Sequence, residues 1–262
     1  MPPAASSDDP PIDLPVDPPR AGQALLRQTR DALMLQFAGH PAIQSSMSLL
    51  NPQALELDYT RLMMGFLLFD STPARLLMIG LGGGSLPKFC HRYLPDAVID
   101  VVEIDAGVIA LREAFHVPPD DARFCVIHAD GKDYLAQDLE PVDVLLVDAY
   151  DGQGMPASLC EPAFFEDCRD ALAPDGLLVV NLHLESASYP LCLASLRHEF
   201  GSAVFEVVDD DMTNSIVFAC KGERFAQTDL RAALRRPDGI AKDAWRQLLP
   251  TFQLIEATLT LR

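Results

Sequence analysis

Positive charge is scarce in this chain: 20 lysines and arginines stand against 38 aspartates and glutamates, a formal net charge of -18. Phosphate binding needs concentrated lysine and arginine, and no such stretch occurs, which argues against a nucleic-acid partner. Long apolar runs are missing too. None approaches the roughly 18 residues of a membrane-spanning helix, so no membrane partner is expected and the chain reads as soluble. The start, Met1-Pro-Pro-Ala-Ala-Ser-Ser-Asp-Asp, has neither the basic nor the apolar part of a secretion signal, which leaves the cytoplasm as the expected compartment. The cysteines Cys90, Cys125, Cys160, Cys168, Cys192 and Cys220 form no Cys-x-x-Cys pair, which argues against a zinc knuckle or a redox motif; they read as buried, reduced thiols. His91, His116, His128 and His183 lack metal-ligand spacing, so no metal site is expected. There is no internal repeat.

At 262 residues the chain is long enough for one large core and a small appended unit. Residues 1–20, rich in proline and aspartate, read as a disordered leader. Ala32-Leu-Met-Leu-Gln-Phe37 and Ala42-Ile-Gln-Ser-Ser-Met-Ser-Leu-Leu50 read as two short strands joined through Gly39-His-Pro41. From Leu55 to Phe69 the spacing of Leu55, Leu62, Met63, Phe66 and Leu67 predicts a helix. Residues 21–70 would then form a hairpin-and-helix unit, and 71–262 the main domain. In the latter, strands are predicted near 75–80, 98–103, 123–128, 142–147 and 176–182 with helices between them, which implies a parallel sheet covered on both faces. A helix over 187–200 leads to two more strands, 203–208 and 215–220, joined by Asp209-Asp-Asp-Met-Thr-Asn214. The whole is an α/β, doubly wound, mostly parallel seven-stranded sheet of Rossmann-like kind, preceded by a small β-hairpin unit. A closing antiparallel hairpin on such a sheet is the arrangement of S-adenosylmethionine-dependent transferases rather than of nicotinamide-binding sheets. The tail from Gln227 suggests one or two helices, and its last run, Leu254 to Leu261, fits helix or strand.

The most informative stretch is Leu76-Leu-Met-Ile-Gly-Leu-Gly-Gly-Gly-Ser85, followed by Val101-Val-Glu-Ile-Asp105. An unalternating apolar run suits a strand buried on both faces, and Gly80, Gly82 and Gly84 supply a turn where backbone can approach a ligand. Glu103 then stands where a ribose presents its two hydroxyls. Ser85 replaces the third glycine of the dinucleotide fingerprint, which favours an adenosine ligand over a nicotinamide cofactor. His128-Ala-Asp130-Gly131 and Val144-Leu-Leu-Val-Asp148-Ala-Tyr-Asp151 place further carboxylates just past strands, on the same rim. Structural readings stand beside these: Asp130 as a helix N-cap, Asp148 and Asp151 as turn formers, Asp209 to Asp211 as a solvated turn rather than a cation site.

From about Ile43 to Lys221 the chain resembles the spermidine synthase (polyamine aminopropyltransferase) family in its shorter bacterial branch. The resemblance is carried by the Gly80–Gly84 loop, Val102-Glu-Ile-Asp105, Ala129-Asp-Gly131, Asp148-Ala-Tyr-Asp151 with Gly152-Gln-Gly154, and Leu172-Ala-Pro-Asp-Gly176. It implies the class I methyltransferase fold and aminopropyl transfer from decarboxylated S-adenosylmethionine to a small-molecule amine, with no tightly bound cofactor. It further implies that Glu103 holds the ribose, Asp130 and Gly131 meet the adenine, Gln44 lies near the sulfonium, Asp148 is the catalytic carboxylate and Asp151 helps hold the acceptor. Relatives of this kind are commonly dimers, which makes a homodimer an expectation.

Two departures bear on the substrates. Gly83 stands where the family carries an aspartate that meets the donor's amine, and Tyr59-Thr60-Arg61 replaces a Tyr-His-Glu set. Both changes weaken the usual substrate pair. Methyl transfer from intact S-adenosylmethionine, with Arg61 pairing the donor's carboxylate, is therefore a second reading. A catalytically silent binding protein is a third, opposed by the presence of Asp148.

Overall fold

A computed structural model describes Arg20 and residues 22–40, 42–150 and 154–260. The expected leader falls outside these, apart from Arg20, and so does Asp151. The first sheet is antiparallel, in the order β1 (Ala24–Gln28), β2 (Ala32–Phe37), β3 (Ile43–Ser48). The two expected strands are present, and β1 is an addition to them. Its residues Ala24-Leu-Leu-Arg-Gln28 are half-buried or exposed and carry no alternation that would mark a strand. On β2 and β3 the alternation is clear: Leu33, Leu35, Ser45 and Met47 turn inward.

The predicted helix over 55–69 is shorter and divided. Helix α1 covers Asp58–Met63 and passes into a 3-10 turn, Met64–Leu68, whose residues are all buried. Gly65 sits within it, where a Cβ would fall 2.4 Å from Ile255 and 2.8 Å from Phe218. The tighter winding accompanies that close approach.

The main sheet follows as β4 (Arg75–Ile79), α2 (Ser85–Tyr93), β5 (Val98–Glu103), α3 (Ala106–Ala110), β6 (Phe124–His128), α4 (Gly131–Leu135), β7 (Val142–Val147), α5 (Pro162–Ala171), β8 (Leu172–His183), α6 (Tyr189–Phe200), β9 (Val204–Val208) and β10 (Asn214–Cys220). The strand order is β6-β5-β4-β7-β8-β10-β9, parallel from β6 to β8, with β10 antiparallel to both β8 and β9. The order reverses at β4, so the ends of β4 and β7 open the crevice in which doubly wound sheets bind ligands.

Both faces of the sheet are covered, which is why its strands read as continuous apolar runs. Leu76, Met78, Val144, Leu146 and Phe218 pack with the α1, α2 and tail-helix side. Leu77, Ile79, Leu145, Val147 and Val217 pack with residues of α5 and α6. The tail forms α7 (Arg224–Gln227), α8 (Leu230–Ala233) and α9 (Lys242–Thr260), which resolves the run from Leu254 as helix. Trp245, Leu248, Phe252 and Ile255, spaced three and four apart, bury one stripe of α9 against the sheet side. No described helix is long and apolar enough to cross a membrane.

The cysteines depart from the sequence reading at one pair. Cys160 and Cys192 are joined as a disulfide, Cα atoms 4.4 Å apart, linking the segment before α5 to the first turn of α6. Cys90, Cys168 and Cys220 are buried free thiols and Cys125 is half-buried; burial pushes the Cys90 and Cys168 thiols up.

Candidate active site

The glycine loop is built by contacts that no side chain would allow. Gly80 (φ +101°) lies where a Cβ would meet the main-chain oxygen of Asp148 at 2.2 Å, so the ends of β4 and β7 can close only on glycine. Gly84 (φ +66°) opens α2, and a Cβ there would come within 2.3 Å of Val117. Between them, Gly82 lies against the Ser45 hydroxyl and the Gly83 N–H donates to Ser45 Oγ at 2.8 Å. A side chain on Gly83 would begin 2.8 Å from Ser45 Cβ and 3.1 Å from the Phe115 ring. The aspartate of the resembled family has no room here, because β3 and Phe115 occupy its place. Beneath the loop the buried Lys88 of α2 donates to the Phe115 carbonyl at 2.7 Å, and burial lowers its ammonium to about 8.

Glu103 ends β5 and is nearly buried. Its Oε2 accepts from the Leu81 N–H and its Oε1 from the Asp105 N–H, each at 2.8 Å. It therefore ties the loop to the strand end while keeping acceptor capacity on both oxygens. Asp105 caps α3 through Gly107 N–H at 2.7 Å, and the exposed Ile104 side chain stands between the two carboxylates. Asp130 is the N-cap of α4, accepting from Lys132 and Asp133 N–H at 2.8 and 3.3 Å, the alternative weighed from sequence. Gly131 follows it, and a Cβ there would meet Ile79 at 2.4 Å, so this rim is drawn against β4.

Asp148 follows β7, and its N–H donates to the Ile79 carbonyl at 2.9 Å. Its carboxylate accepts from Asn181 Nδ2 on Oδ1 at 2.9 Å, and the Tyr59 hydroxyl of α1, which points to the Gln44 carbonyl at 3.5 Å, lies beside it. Burial raises the Asp148 carboxyl, the Asn181 hydrogen bond and the adjoining Tyr59 hydroxyl hold it down, and the Glu103 charge adds a smaller upward push. Tyr59 is pushed well up, chiefly by burial and then by Asp148, so it stays a donor. Tyr150 is pushed up by burial and by Asp148, and its hydroxyl donates to the Asn181 carbonyl at 2.9 Å. A small cleft lies over this group, lined by Ser45, Tyr59, Thr60, Gly80, Leu81, Ser85, Leu86, Pro87 and Asp148.

The structure thus brings Gly80, Gly82, Gly84, Glu103 and Asp148 to one rim, with Asp130 and Gly131 alongside. Gln44 is a neighbour: its main-chain carbonyl is 3.5 Å from the Tyr59 hydroxyl, while Ser45, next along β3, lines the cleft. Arg61 does not face the cleft as a free cation. It is bound to the Leu55 carbonyl, to the Glu56 carbonyl at 3.1 Å and to the Asp58 carboxylate. Asp209 is also closed, because Thr213 and Asn214 supply it with four donors between 2.8 and 3.0 Å, making it a cap of the β9–β10 hairpin. Sequence reasoning did not find Ser45 or Asn181. A serine and an asparagine in strands carry no signal of their own until the loop and Asp148 are placed beside them.

A Rossmann-like sheet with a glycine turn at its switch point, an acid ending the second strand and a carboxylate ending the fourth has its candidate site where doubly wound sheets bind their ligands. The spermine/spermidine synthase domain matches residues 56–214, more than half of the chain, and the chain belongs to that family. The polyamine aminopropyltransferase of Chromobacterium violaceum is 42% identical over 170 residues, covering 64% of this chain and 65% of that protein. The chain thus spans slightly less than two thirds of that relative. A probable spermidine synthase from Corynebacterium glutamicum shares the fold, with a TM-score of 0.68 at 24% identity over 82% of this chain and 85% of that one. Human methyltransferase-like protein 13 in complex with SAH superposes with a TM-score of 0.57 at 26% identity, over 78% and 93% of the two chains.

Proposed function

We propose that this protein moves an aminopropyl group from decarboxylated S-adenosylmethionine to a small primary amine, as its aminopropyltransferase relatives are named for doing. The observation that carries this reading is the Asp148 carboxylate, raised by burial, held by Tyr59 and Asn181, and facing the cleft beside the glycine loop. The amine nitrogen attacks the propyl carbon bonded to sulfur, the carbon–sulfur bond breaks, methylthioadenosine leaves and the nitrogen's proton passes to Asp148. An alkyl amine with a pKa near 10 is mostly protonated at neutral pH, so a proton acceptor at the nitrogen is required. In this reading Glu103 accepts from the ribose hydroxyls, Asp130 and Gly131 border the adenine, and Gln44 and Ser45 close the sulfonium end. Asp151, outside the described residues, is assigned to the acceptor by resemblance alone. Residues 71–262 form the donor-binding domain, and the 21–70 unit completes its cleft through Ser45 and Tyr59.

The choice of donor rests on what surrounds the cleft. Its polar side chains are hydroxyls and a carboxylate, which suit an ammonium, and Arg61 is engaged with Leu55, Glu56 and Asp58. Methyl transfer from intact S-adenosylmethionine is the second reading, favoured by the superposition on the human methyltransferase-like protein. Calorimetric titration with S-adenosylmethionine, its decarboxylated form and methylthioadenosine separates them. Tighter binding of the decarboxylated donor supports aminopropyl transfer, tighter binding of the intact donor supports methyl transfer, and binding of none removes the nucleoside site.

A further inference from the structure

Asn181 is a polar residue in the aliphatic part of β8, with Leu177-Leu-Val-Val180 before it and Leu182 after it. Val180 pairs with Val147 across the parallel β7–β8 contact, which brings Asn181 level with Asp148. The residue is 2% exposed. Its Nδ2 donates to Asp148 Oδ1 at 2.9 Å, while its own Oδ1 is buried and has no hydrogen-bond partner among the described residues.

That unpartnered oxygen is informative. A leucine has the same branched outline of four side-chain heavy atoms, though it is bulkier, and it would leave no buried acceptor unsatisfied, so apolar packing gives no reason for an amide here. The one hydrogen bond the side chain makes is to the carboxylate. With the amide turned the other way, an oxygen would face the ionised Asp148, so this orientation is the one that suits the charged form of that residue. Asp148 is faced by Tyr59 from α1, Glu103 from β5, Tyr150 from its own loop and Asn181 from β8. Asn181 donates to it, the Tyr59 hydroxyl lies beside it and reaches the Gln44 carbonyl, Glu103 is a like charge, and Tyr150 donates to the Asn181 main chain instead.

We infer that Asn181 is a positioning residue for the transfer reaction: its carboxamide N–H fixes the Asp148 carboxylate and stabilises its ionised form, so that the carboxylate is ready to take the proton of the attacking amine. The inference rests on Asp148 acting as the base. It explains why a buried acceptor is left unpartnered near the carboxyl end of a core strand. Asn181, 2% exposed and set behind the residues that line the cleft, acts through Asp148.

The test is the pH dependence of kcat, with saturating decarboxylated S-adenosylmethionine and 1,4-diaminobutane, for the unaltered enzyme, Asn181→Leu and Asn181→Asp. The acid limb reports ionisation of the base in the ternary complex. Losing the donor in Asn181→Leu moves that limb up by about one pH unit, and Asn181→Asp, which sets a second carboxylate beside the first, moves it further. Methylthioadenosine affinity stays within about twofold in both variants, since neither residue contacts the nucleoside. If Asn181→Leu does not fold, the near-isosteric Asn181→Asp carries the comparison. An unchanged acid limb in the folded variants, with kcat merely scaled, overturns the positioning role and leaves Asp148 as base. Full turnover by Asp148→Asn overturns the base assignment itself, so the two failures are distinguishable.

Discussion

Asp148 combines two opposed demands in one side chain. Burial and the neighbouring Glu103 raise its carboxyl, which makes it a better proton acceptor near neutral pH, while Tyr59 and Asn181 keep enough of it ionised to act. A carboxyl raised above its unfolded value binds its proton more tightly in the folded state. Its contribution to stability is therefore present at acid pH and lost as pH rises through the folded value. Asp148→Asn should consequently raise the melting temperature at pH 7 to 8, and by less at pH 4, while lowering turnover roughly a hundred- to ten-thousand-fold with donor affinity nearly kept. A variant that loses activity and also melts lower at pH 8 would contradict this account of the site. Glu103 behaves differently, because it accepts from the Leu81 and Asp105 N–H groups even without ligand. Glu103→Ala should weaken methylthioadenosine binding by roughly 1.5 to 3 kcal/mol, the scale of hydrogen bonds to a charged group. It should also lower stability, which thermal unfolding without ligand would show.

The glycine loop acts as one element with β3. Ser45 Oγ takes the Gly83 N–H, and the two chains approach so closely that Gly83→Asp has no space for its first side-chain atom. That substitution alone should cost about 1–3 kcal/mol, as overpacking does, and should not improve binding of the decarboxylated donor. Combined with Ser45→Gly it should recover most of the lost stability, although Phe115 still limits the space; a double-variant cycle of melting temperatures measures the coupling. The parallel strands were legible because each carries an apolar run, closed by Gly80 at β4, Glu103 at β5 and Asp148 at β7. The periodicity of Trp245, Leu248, Phe252 and Ile255 likewise marks α9, although its last turns allowed either reading. What was not legible depends on partners distant in sequence. The half-buried β1 is defined by its pairing with β2, the 3-10 turn by close packing at Gly65, and the disulfide by the meeting of Cys160 with Cys192. Ser45, Asn181 and the sequestered Arg61 acquire their positions only when β3, β8 and the segment from Leu55 to Asp58 are placed.

The whole molecule carries a formal net charge of -18, and among the described residues the charged side chain that lines the cleft is the Asp148 carboxylate. A cationic amine is drawn toward such a surface, and the attraction is screened over about 8 Å at physiological ionic strength. KM for 1,4-diaminobutane should rise several-fold between low and 0.5 M salt, while KM for a neutral or singly charged amine changes less; equal salt dependence for both would remove the steering role. The division of labour between the two sheets follows the same logic. The main sheet supplies the rim with Glu103, Asp130 and Asp148, and the N-terminal unit with α1 closes the cleft with Ser45 and Tyr59. The central claim is aminopropyl transfer, and product identification by mass spectrometry tests it most directly. The purified protein would be incubated with 1,4-diaminobutane and an equimolar mixture of decarboxylated and intact S-adenosylmethionine. The account predicts methylthioadenosine and an aminopropylated diamine; S-adenosylhomocysteine with a methylated product, and no aminopropylated one, would contradict it.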